Sequence, residues 1–305
     1  MSTRSLKIMH KITSRWGHQN SLSVMWNLGK RCNYDCSYCP ASIHDNHSPH
    51  TDIEILKNTV DKICETDRSV RFTFTGGEPT VHPRFEELLQ YLRARDVSWV
   101  SLTTNGTRTA KWYLDNEQYW NHILFSLHYE SDYQRVVDTI LEYKKQGQKM
   151  FFVNVMAHHE YMDAVRTTVD LFDAHEVKYA VRRIRWGDID HDIFDDNKYS
   201  EQDLEWILSK DATADPNCLI DDTELMHAND VIKQHLNQFK GWKCSIGLES
   251  LMINWDGDVH RATCRVGGSM GNIYDGTFSH PESTIICDRN YCTCAADIFI
   301  TKVKT

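Results

Sequence analysis

The chain of 305 residues lacks any apolar run that approaches the roughly 20 residues needed to cross a bilayer. Its opening segment, MSTRSLKIMHKITSR, carries charge but no apolar core of the kind that a secretory signal requires. Basic residues are the minority, with 34 Lys and Arg against 43 Asp and Glu, and the net charge of −9 disfavours sequence-independent binding to nucleic acids. Internal repeats and low-complexity tracts are also missing. We therefore expect a globular protein of the cytoplasm that has no membrane partner.

Cysteine, in contrast, is plentiful. Ten cysteines in a chain without an export signal indicate metal binding or redox chemistry rather than disulfides. Eight of them form an early group and a C-terminal group. The early group is Cys32, Cys36 and Cys39, and the C-terminal group is Cys244, Cys264, Cys287, Cys292 and Cys294. The remaining two are assigned no chemistry, and Cys64 is expected to be a small core residue of a helix.

Between the two groups the sequence alternates between strand and helix patterns. Apolar and β-branched runs predict strands over 22–28, 70–75, 98–103, 122–127, 149–156 and 177–184. Helical spacing of apolar residues predicts helices over 52–65, 83–95, 132–146 and 161–174, with Thr51 as the N-cap of the first and Glu54 completing a capping box. This alternation is typical of an α/β fold with a parallel sheet. Because an eight-stranded barrel uses about 250 residues, six strands favour a partial (β/α)6 TIM-like barrel, with its site at the carboxyl ends of the strands.

Composition predicts four parts of the chain. These are an N-terminal extension over 1–20, the partial barrel over 21–185, an acidic bridge over 186–240 with helices near 201–209 and 222–236, and a cysteine-rich domain over 241–305. The last part has few apolar residues, so we expect it to need a metal centre in order to fold.

The early cysteines place three thiols within eight residues. Three thiolates on one loop can hold three corners of an iron–sulfur cube and leave one iron open to a small molecule. Spacing alone also allows structural zinc, because Cys36 and Cys39 are two residues apart and His44, His47 and His50 follow closely.

The spacing Cys-x₃-Cys-x₂-Cys, with Tyr38 before the last cysteine, resembles the signature of the radical S-adenosylmethionine (radical SAM) superfamily. The next predicted strand ends in Thr75-Gly76-Gly77-Glu78-Pro79, which resembles the GGEP motif of the same superfamily. The two motifs occur in the superfamily's order. The resemblance implies that Cys32, Cys36 and Cys39 hold a 4Fe–4S cluster whose fourth iron is chelated by SAM.

The resemblance also implies which residues contact SAM. Gly76 and Gly77, without Cβ atoms, would let backbone groups approach the SAM amino group; Glu78 offers it a carboxylate, and Pro79 stiffens the turn. The further candidates for cofactor binding are Tyr38, Asn105, Ser126, Asn154 and Arg183. For Asn105, Ser126 and Asn154 a satisfied buried polar side chain is an equal alternative, and for Arg183 the alternative is ion pairing with the acidic segment 188–196.

In the C-terminal group, residues 252–259 read as a hairpin with an Asp256-Gly257 turn, which would bring Cys244 and Cys264 together. The arrangement resembles the SPASM/twitch auxiliary-cluster domains of radical SAM enzymes, which implies a second 4Fe–4S cluster. Five cysteines compete for four ligand positions, and Cys287 is the one we assign least readily. Structural zinc is the alternative for this group.

The resemblance implies an oxidoreductase that cleaves SAM reductively and abstracts a hydrogen atom through a 5′-deoxyadenosyl radical; no catalytic protein residue is assigned. We expect a small polar substrate, sugar-, aminocyclitol- or nucleotide-like, because a first strand near residue 22 leaves little room for a domain that grips a peptide. The second cluster would conduct electrons, and the donor would be a protein such as flavodoxin or ferredoxin. The alternatives are a radical SAM enzyme that modifies a peptide and a non-catalytic Fe–S or zinc protein.

Overall fold

The computed structural model describes residues 9–17, 20–95, 97–184, 186, 196–210 and 216–305. Most of the acidic segment proposed as a partner of Arg183 therefore lies outside the described residues. The strands are β1 (Lys11–Ser14), β2 (Ser21–Asn27), β3 (Ser69–Thr75), β4 (Trp99–Thr104), β5 (His122–Leu127), β6 (Met150–Ala157), β7 (Tyr179–Arg183), β8 (Cys218–Ile220), β9 (Glu224–Met226), β10 (Lys243–Cys244), β11 (Ser250–Ile253), β12 (Asp258–His260), β13 (Ser269–Asn272), β14 (Ile285–Ile286) and β15 (Lys302–Val303). The α-helices are α1 (Ile53–Ile63), α2 (Phe85–Ala94), α3 (Ala110–Asn116), α4 (Tyr133–Gln146), α5 (Met162–Ala174), α6 (Glu201–Lys210), α7 (Ala228–Lys233) and α8 (Ala295–Ile298).

The main sheet confirms the predicted α/β class. Its strand order is β13-β12-β11-β2-β3-β4-β5-β6-β7, and the strands from β2 to β7 are parallel neighbours in chain order. All six predicted strands and the four predicted helices between them are present, with ends within two residues of the prediction. Within the described residues the sheet is open, since its order begins at β13 and ends at β7.

Burial alternates along the central strands. Val24 and Trp26 of β2 and Phe72 and Phe74 of β3 are buried in the main hydrophobic core together with apolar residues of α1, α2, α4 and α5. The intervening side chains, such as Ser23, are only half-buried. They lie on the opposite face, which we call the open face, because successive side chains of a strand point to opposite sides.

Two predictions near helix ends are wrong. The N-cap of α1 is Asp52 rather than Thr51, because the Asp52 carboxylate accepts the backbone N–H of Glu54 over 2.8 Å. The second concerns the helix predicted over 222–236, which is present only as α7, because residues 224–226 form β9 and pair with β8 in an antiparallel hairpin. Asp221 and Asp222 adopt positive φ angles of 47° and 58°, which short polar side chains tolerate in tight hairpin turns.

A second sheet joins the two ends of the chain, with the order β14-β10-β15-β1-β8-β9. In it β1 lies between β15 and β8, so that Ile12 pairs with Lys302 on one side and with Ile220 on the other. The predicted hairpin at Asp256-Gly257 is confirmed; it joins β11 and β12, and β11 extends the main sheet beside β2. Among the helices of the described residues, none is long and apolar enough to span a membrane.

Candidate active site

A cavity of about 400 Å³, here called the upper cavity, lies at the carboxyl ends of the central strands. Parallel α/β sheets place their ligand sites at this end. Most of the residues predicted for the cluster and for SAM line it: Cys32, Cys36, Cys39, Tyr38, Gly76, Gly77, Glu78, Asn105, Ser126 and Arg183. Pro79 and Asn154 are not part of the lining. The structure thus brings together segments separated by up to about half of the sequence.

The two glycines of the GGEP turn pack against the cysteine loop. The backbone N–H of Gly77 donates to the carbonyl oxygen of Gly29 over 2.7 Å. A Cβ atom at Gly77 would overlap the carbonyl oxygens of Lys30 and Arg31, and one at Gly76, whose φ is +116°, would lie 2.7 Å from the Gly29 oxygen. Positions 76 and 77 therefore need glycine because the two loops approach each other closely. The sequence had suggested a different reason, namely the approach of SAM.

Glu78 ties the GGEP turn to the end of β4. Only 3% of this residue is exposed, and its Oε2 accepts the backbone N–H of Asn105 over 2.6 Å. Its Oε1 accepts the backbone N–H of Thr80 at 3.0 Å and the hydroxyl of Thr104 at 2.9 Å. Burial raises the pKa of the Glu78 carboxyl, and these donors partly offset that rise. The carboxylate is engaged by the chain itself, and its contact with a cationic ligand stays a prediction.

The Cys32 sulfur already has hydrogen-bond donors around it. The backbone N–H of Tyr34 donates to Cys32 Sγ over 3.4 Å, and Asn105 Nδ2 lies 3.7 Å from the same sulfur while donating to Asn33 Oδ1 at 2.8 Å. Burial raises the pKa of the Cys32 thiol, and these donors counteract the rise. Donors of this kind favour a thiolate, the form that binds metal.

The thiols of this loop do not converge on one point. Within the described residues, no three His, Cys, Asp or Glu side chains are close enough to hold a single metal ion. Cys32, Cys36 and Cys39 nevertheless line one cavity. Three thiols on one cavity wall are the ligand number that a cubane cluster with one open iron requires, since each cysteine ligates a different iron atom.

An aromatic wall, which the sequence indicated only in part, lies beside the loop. The Tyr38 hydroxyl is 2.5 Å from His128 Nδ1, and the Tyr38 ring contacts those of His158 and Trp186 at centroid distances of 5.9 and 5.8 Å. Burial lowers the pKa of His128 to about 4, so that its imidazole is neutral at physiological pH. His158 follows directly on β6 and could have been found from its place at a strand end.

Two further candidates, Asn154 and Pro79, do not line the upper cavity and make other contacts. Asn154 Oδ1 accepts a hydrogen bond from Arg182 Nε over 3.2 Å. Pro79 begins a short 3₁₀ turn capped by the Glu78 side chain, as expected of a residue that stiffens the turn.

The C-terminal cysteines gather around the second sheet. Cys244 and Cys264 pack in one small apolar cluster, whereas Cys287 and Cys292 belong to a neighbouring one. Cys294 is the N-cap residue of α8. All ten cysteines of the chain are free thiols in the structure.

Two buried charged residues lie next to these thiols. Asp297 Oδ2 accepts the hydroxyl of Thr263 at 2.5 Å and the backbone N–H of Cys264 at 2.9 Å. The Lys302 ammonium, in a residue only 2% exposed, donates to the carbonyl oxygens of Asp297, Ile298 and Ile300. A positive charge here stabilises neighbouring thiolates.

Comparison with known proteins adds a family similarity for the part of the chain that builds this site. Residues 26–172 match the family model described as the Radical SAM superfamily. This span contains the cysteine loop, the GGEP turn and the strands β3 to β6, but not β7, which contributes Arg183 to the upper cavity. This matched span, just under half of the chain, is therefore similar to the radical SAM superfamily.

Individual relatives cover smaller parts of the chain. It is similar to an Fe-coproporphyrin III synthase of Methanosarcina barkeri, with 34% identity over 28% of this chain and 21% of the relative. It is also similar to an S-adenosylmethionine-dependent nucleotide dehydratase of Flammeovirga pacifica, with 30% identity over 39% of this chain and 42% of the relative. The matches thus span less than half of these curated relatives. Among solved structures, native anSMEcpe with bound AdoMet and Cp18Cys peptide shares the fold, with a TM-score of 0.57 and 16% identity over 84% of this chain and 78% of that one.

Proposed function

We propose that the chain is a radical SAM oxidoreductase in which Cys32, Cys36 and Cys39 hold a 4Fe–4S cluster and SAM binds in the upper cavity. The observation that carries the proposal is that the three thiols and the GGEP turn line one cavity at the carboxyl ends of parallel strands. When bound, such a cluster supplies the electron that splits SAM into methionine and a 5′-deoxyadenosyl radical, which takes a hydrogen atom from the substrate.

The chain's own residues prepare this chemistry. The N–H groups of Tyr34 and Asn105 stabilise the Cys32 thiolate. Ser126 and Arg183, which line the cavity, are proposed to bind the polar groups of SAM. The aromatic wall around Tyr38 and neutral His128 keeps water from the cavity, since water would divert a radical from its substrate.

A second 4Fe–4S cluster is proposed at the C-terminal cysteines. Burial raises the pKa of the thiols of Cys244, Cys264 and Cys292, which lie within electrostatic range of one another, and Lys302 counteracts this rise. Cys294, beside Asp297 and Thr263, is the proposed fourth ligand. Cys287 is also within electrostatic range of Cys244, but its sulfur lies 3.9 Å from the carbonyl oxygen of Arg289, and it is left out of the proposed ligand set. This cluster would conduct electrons, and a donor such as flavodoxin or ferredoxin would supply them.

The proposed substrate is a small polar molecule, nucleotide-, sugar- or aminocyclitol-like. One relative acts on nucleotides by name, and the space that bound SAM would leave in a cavity of about 400 Å³ suits only a small molecule. A peptide is the second candidate, supported by the peptide in the solved structure of similar fold. We further propose that the open sheet curls into a partial barrel. We also propose that the protein is cytoplasmic, because its cysteines are free thiols.

Anaerobic reconstitution with iron and sulfide tests the proposal. We expect about eight irons per chain, and 5′-deoxyadenosine when the reduced protein meets SAM. The combined variant Cys32→Ala, Cys36→Ala and Cys39→Ala should keep about four irons and lose SAM cleavage. The matched control is Cys64→Ala, which replaces a thiol packed against the core of the main sheet.

Three outcomes would contradict parts of this proposal. SAM cleavage by the triple variant would exclude the early loop as the cluster site. Zinc in place of iron, or no 5′-deoxyadenosine from a fully loaded protein, would favour the non-catalytic alternative. An unchanged iron count after replacement of Cys264 and Cys292 by alanine would exclude the second cluster.

A further inference from the structure

A larger cavity of about 820 Å³, here called the lower cavity, lies at the opposite ends of the same strands. Its lining combines the open face with the C-terminal segment around Asp297. Ser23, Arg71 and Trp99 are direct neighbours in the register of β2, β3 and β4 and form one edge of it. His122 continues the lining on β5, about 13 Å along the strand from Ser126 of the upper cavity at ~3.3 Å per residue. On β3 the two linings come closer, since Thr73 of the lower cavity is two residues from Thr75 of the upper cavity, about 7 Å at ~3.3 Å per residue. The two cavities are therefore neighbours along the open face, with linings that share no residue.

Arg71 gives the lower cavity a positive charge. Its guanidinium carbon lies 4.6 Å from the centroid of the Trp99 ring, a cation–π contact that fixes its position. No hydrogen bond or ion pair of this side chain is found within the described part of the chain. Burial lowers the pKa of Arg71. A shift in this direction is expected for a cation that loses contact with water and has no carboxylate beside it. Arginine stays protonated at this position even so.

A half-buried cation without a counter-ion is unusual, because proteins commonly pair the charges that they bury. The planar guanidinium carries five N–H donors, which suit a carboxylate or a phosphate. The contact with Trp99 occupies one side of the guanidinium, and the N–H groups that it does not cover can donate to an anion. The side chain is thus positioned to receive an anion that enters the cavity.

Neighbouring groups add donors and apolar walls. His122 Nδ1 is engaged by the Ser101 hydroxyl at 3.2 Å, which leaves Nε2 for a ligand. Asn217 Oδ1 accepts the backbone N–H of Ala228 at 2.8 Å, so that the N–H groups of its side-chain amide can donate to a ligand. Trp16, which is 55% exposed, and Met150 supply apolar surface. The acidic member of the lining, Asp297, is itself hydrogen-bonded to Thr263 and to the backbone of Cys264.

We propose that the lower cavity is a second ligand site, which binds a small organic anion through Arg71. The ligand is a carboxylate or a phosphate that carries a flat or apolar body, which packs against the tryptophans and methionines of the lining. A volume of about 820 Å³ suits such a molecule. The proposal is independent of SAM cleavage, since it requires neither a reduced cluster nor SAM.

Calorimetric titration of the full chain, reconstituted with iron and sulfide and free of SAM, tests the site. The probes are phenyl phosphate, phenylacetate and the neutral 2-phenylethanol. We expect at least one anion to bind at least tenfold more tightly than the alcohol, and added salt to weaken it. The preferred anion shows whether the natural ligand carries a phosphate or a carboxylate.

Variants assign the binding to Arg71. Arg71→Met, which keeps the length of the side chain, should weaken anion binding by about 10- to 100-fold, the usual effect of losing a charge-assisted pair. Arg71→Lys keeps the charge but not the planar fork, and it should weaken binding by an intermediate factor. Arg93→Met, on the exposed side of α2, is the matched control and should change nothing.

The proposal is overturned if neither anion binds at millimolar concentration, if the alcohol binds as well as the anions, or if a folded Arg71→Met protein binds as tightly as the unchanged chain. If Arg71→Met does not fold, Arg71→Lys decides, because unchanged affinity for both anions in that variant also overturns it. Anion binding in a preparation that fails to cleave SAM would refute the proposed function and leave this site standing.

Discussion

The Glu78 carboxylate accepts the backbone N–H of Asn105 over 2.6 Å and that of Thr80 over 3.0 Å, each on a different oxygen. One buried side chain thereby fixes both the GGEP turn and the end of β4, two walls of the upper cavity. Both oxygens face N–H donors, so the ionised carboxylate fits the geometry, although burial raises its pKa.

The first prediction concerns Glu78→Gln. Either orientation of the new amide places its NH₂ group against a backbone N–H, and one buried donor loses its acceptor. We expect the free energy of unfolding in urea at pH 7 to fall by about 2 kcal/mol. Glu205→Gln, on the exposed surface of α6, is the control and should have little effect. Equal stability of the two variants would contradict this account of Glu78.

The second prediction concerns Gly77→Ala. The added Cβ would overlap the carbonyl oxygens of Lys30 and Arg31, so the cysteine loop must shift. We expect a loss of stability of about 1–3 kcal/mol or more, together with iron loss from the early group. Gly29→Ala is a control in the same loop, since the nearest atom to its Cβ would be 4.0 Å away. Thermal unfolding and iron analysis of both variants measure the difference, and a fully loaded Gly77→Ala protein would show the prediction to be wrong.

The third prediction concerns Lys302→Met. The ammonium satisfies three buried carbonyl groups next to the C-terminal cysteines. Its removal leaves these acceptors without donors, at a cost of about 3 kcal/mol in the free energy of unfolding. Lys304→Met, on the exposed end of the chain, should be neutral. Urea unfolding of the two variants measures the difference. If Lys302 contributed only by filling buried space, Lys302→Met would be as stable as the unchanged chain or more stable, which would contradict the role of its hydrogen bonds.

The fourth prediction is a pH dependence at the contact between α5 and α6. The hydroxyl of Ser200 and the guanidinium of Arg166, 2.7 Å from Asp203, hold the pKa of the Asp203 carboxyl below its ordinary value of 3.8. A carboxyl with a lowered pKa stabilises the fold above pH 3.8, and this contribution is lost as the pH falls through the folded-state value.

Asp203→Asn should therefore lower the free energy of unfolding by about 1 kcal/mol or less at pH 7, since the pair is partly exposed. The difference from the unchanged chain should shrink in acid. Asp170→Asn, on the exposed face of α5, should show no such trend. Denaturation curves at pH 7 and at acid pH check the sign, and a difference that grows in acid would contradict it.

The sequence predicted the local elements well where periodicity is strong. Leu56 and Val60 of α1, and Phe72 and Phe74 of β3, occupy the buried positions that their spacing indicated. The helix predicted over 222–236 begins later than expected because Asp221 and Asp222 turn the chain and Leu225 and Met226 enter the hairpin of β8 and β9. Ala228 and Val231 are buried in α7, as a helix requires. The cysteine loop and the GGEP turn were identified from their resemblance to the motifs of a known family. The sequence did not show that the Glu78 carboxylate accepts hydrogen bonds from Thr80, Thr104 and Asn105.

By itself the sequence determined the order of strands and helices, the early trio of thiols and the glycine turn that accompanies them. Spacing along a chain reports local geometry, and these features are local. Only the tertiary structure decided that β1 pairs with β15 and β8, that Lys302 is buried beside distant cysteines, and that Arg71 faces a cavity closed by residues near 297. Such contacts depend on which surfaces pack together after the chain has folded, and a one-dimensional pattern carries no record of that choice.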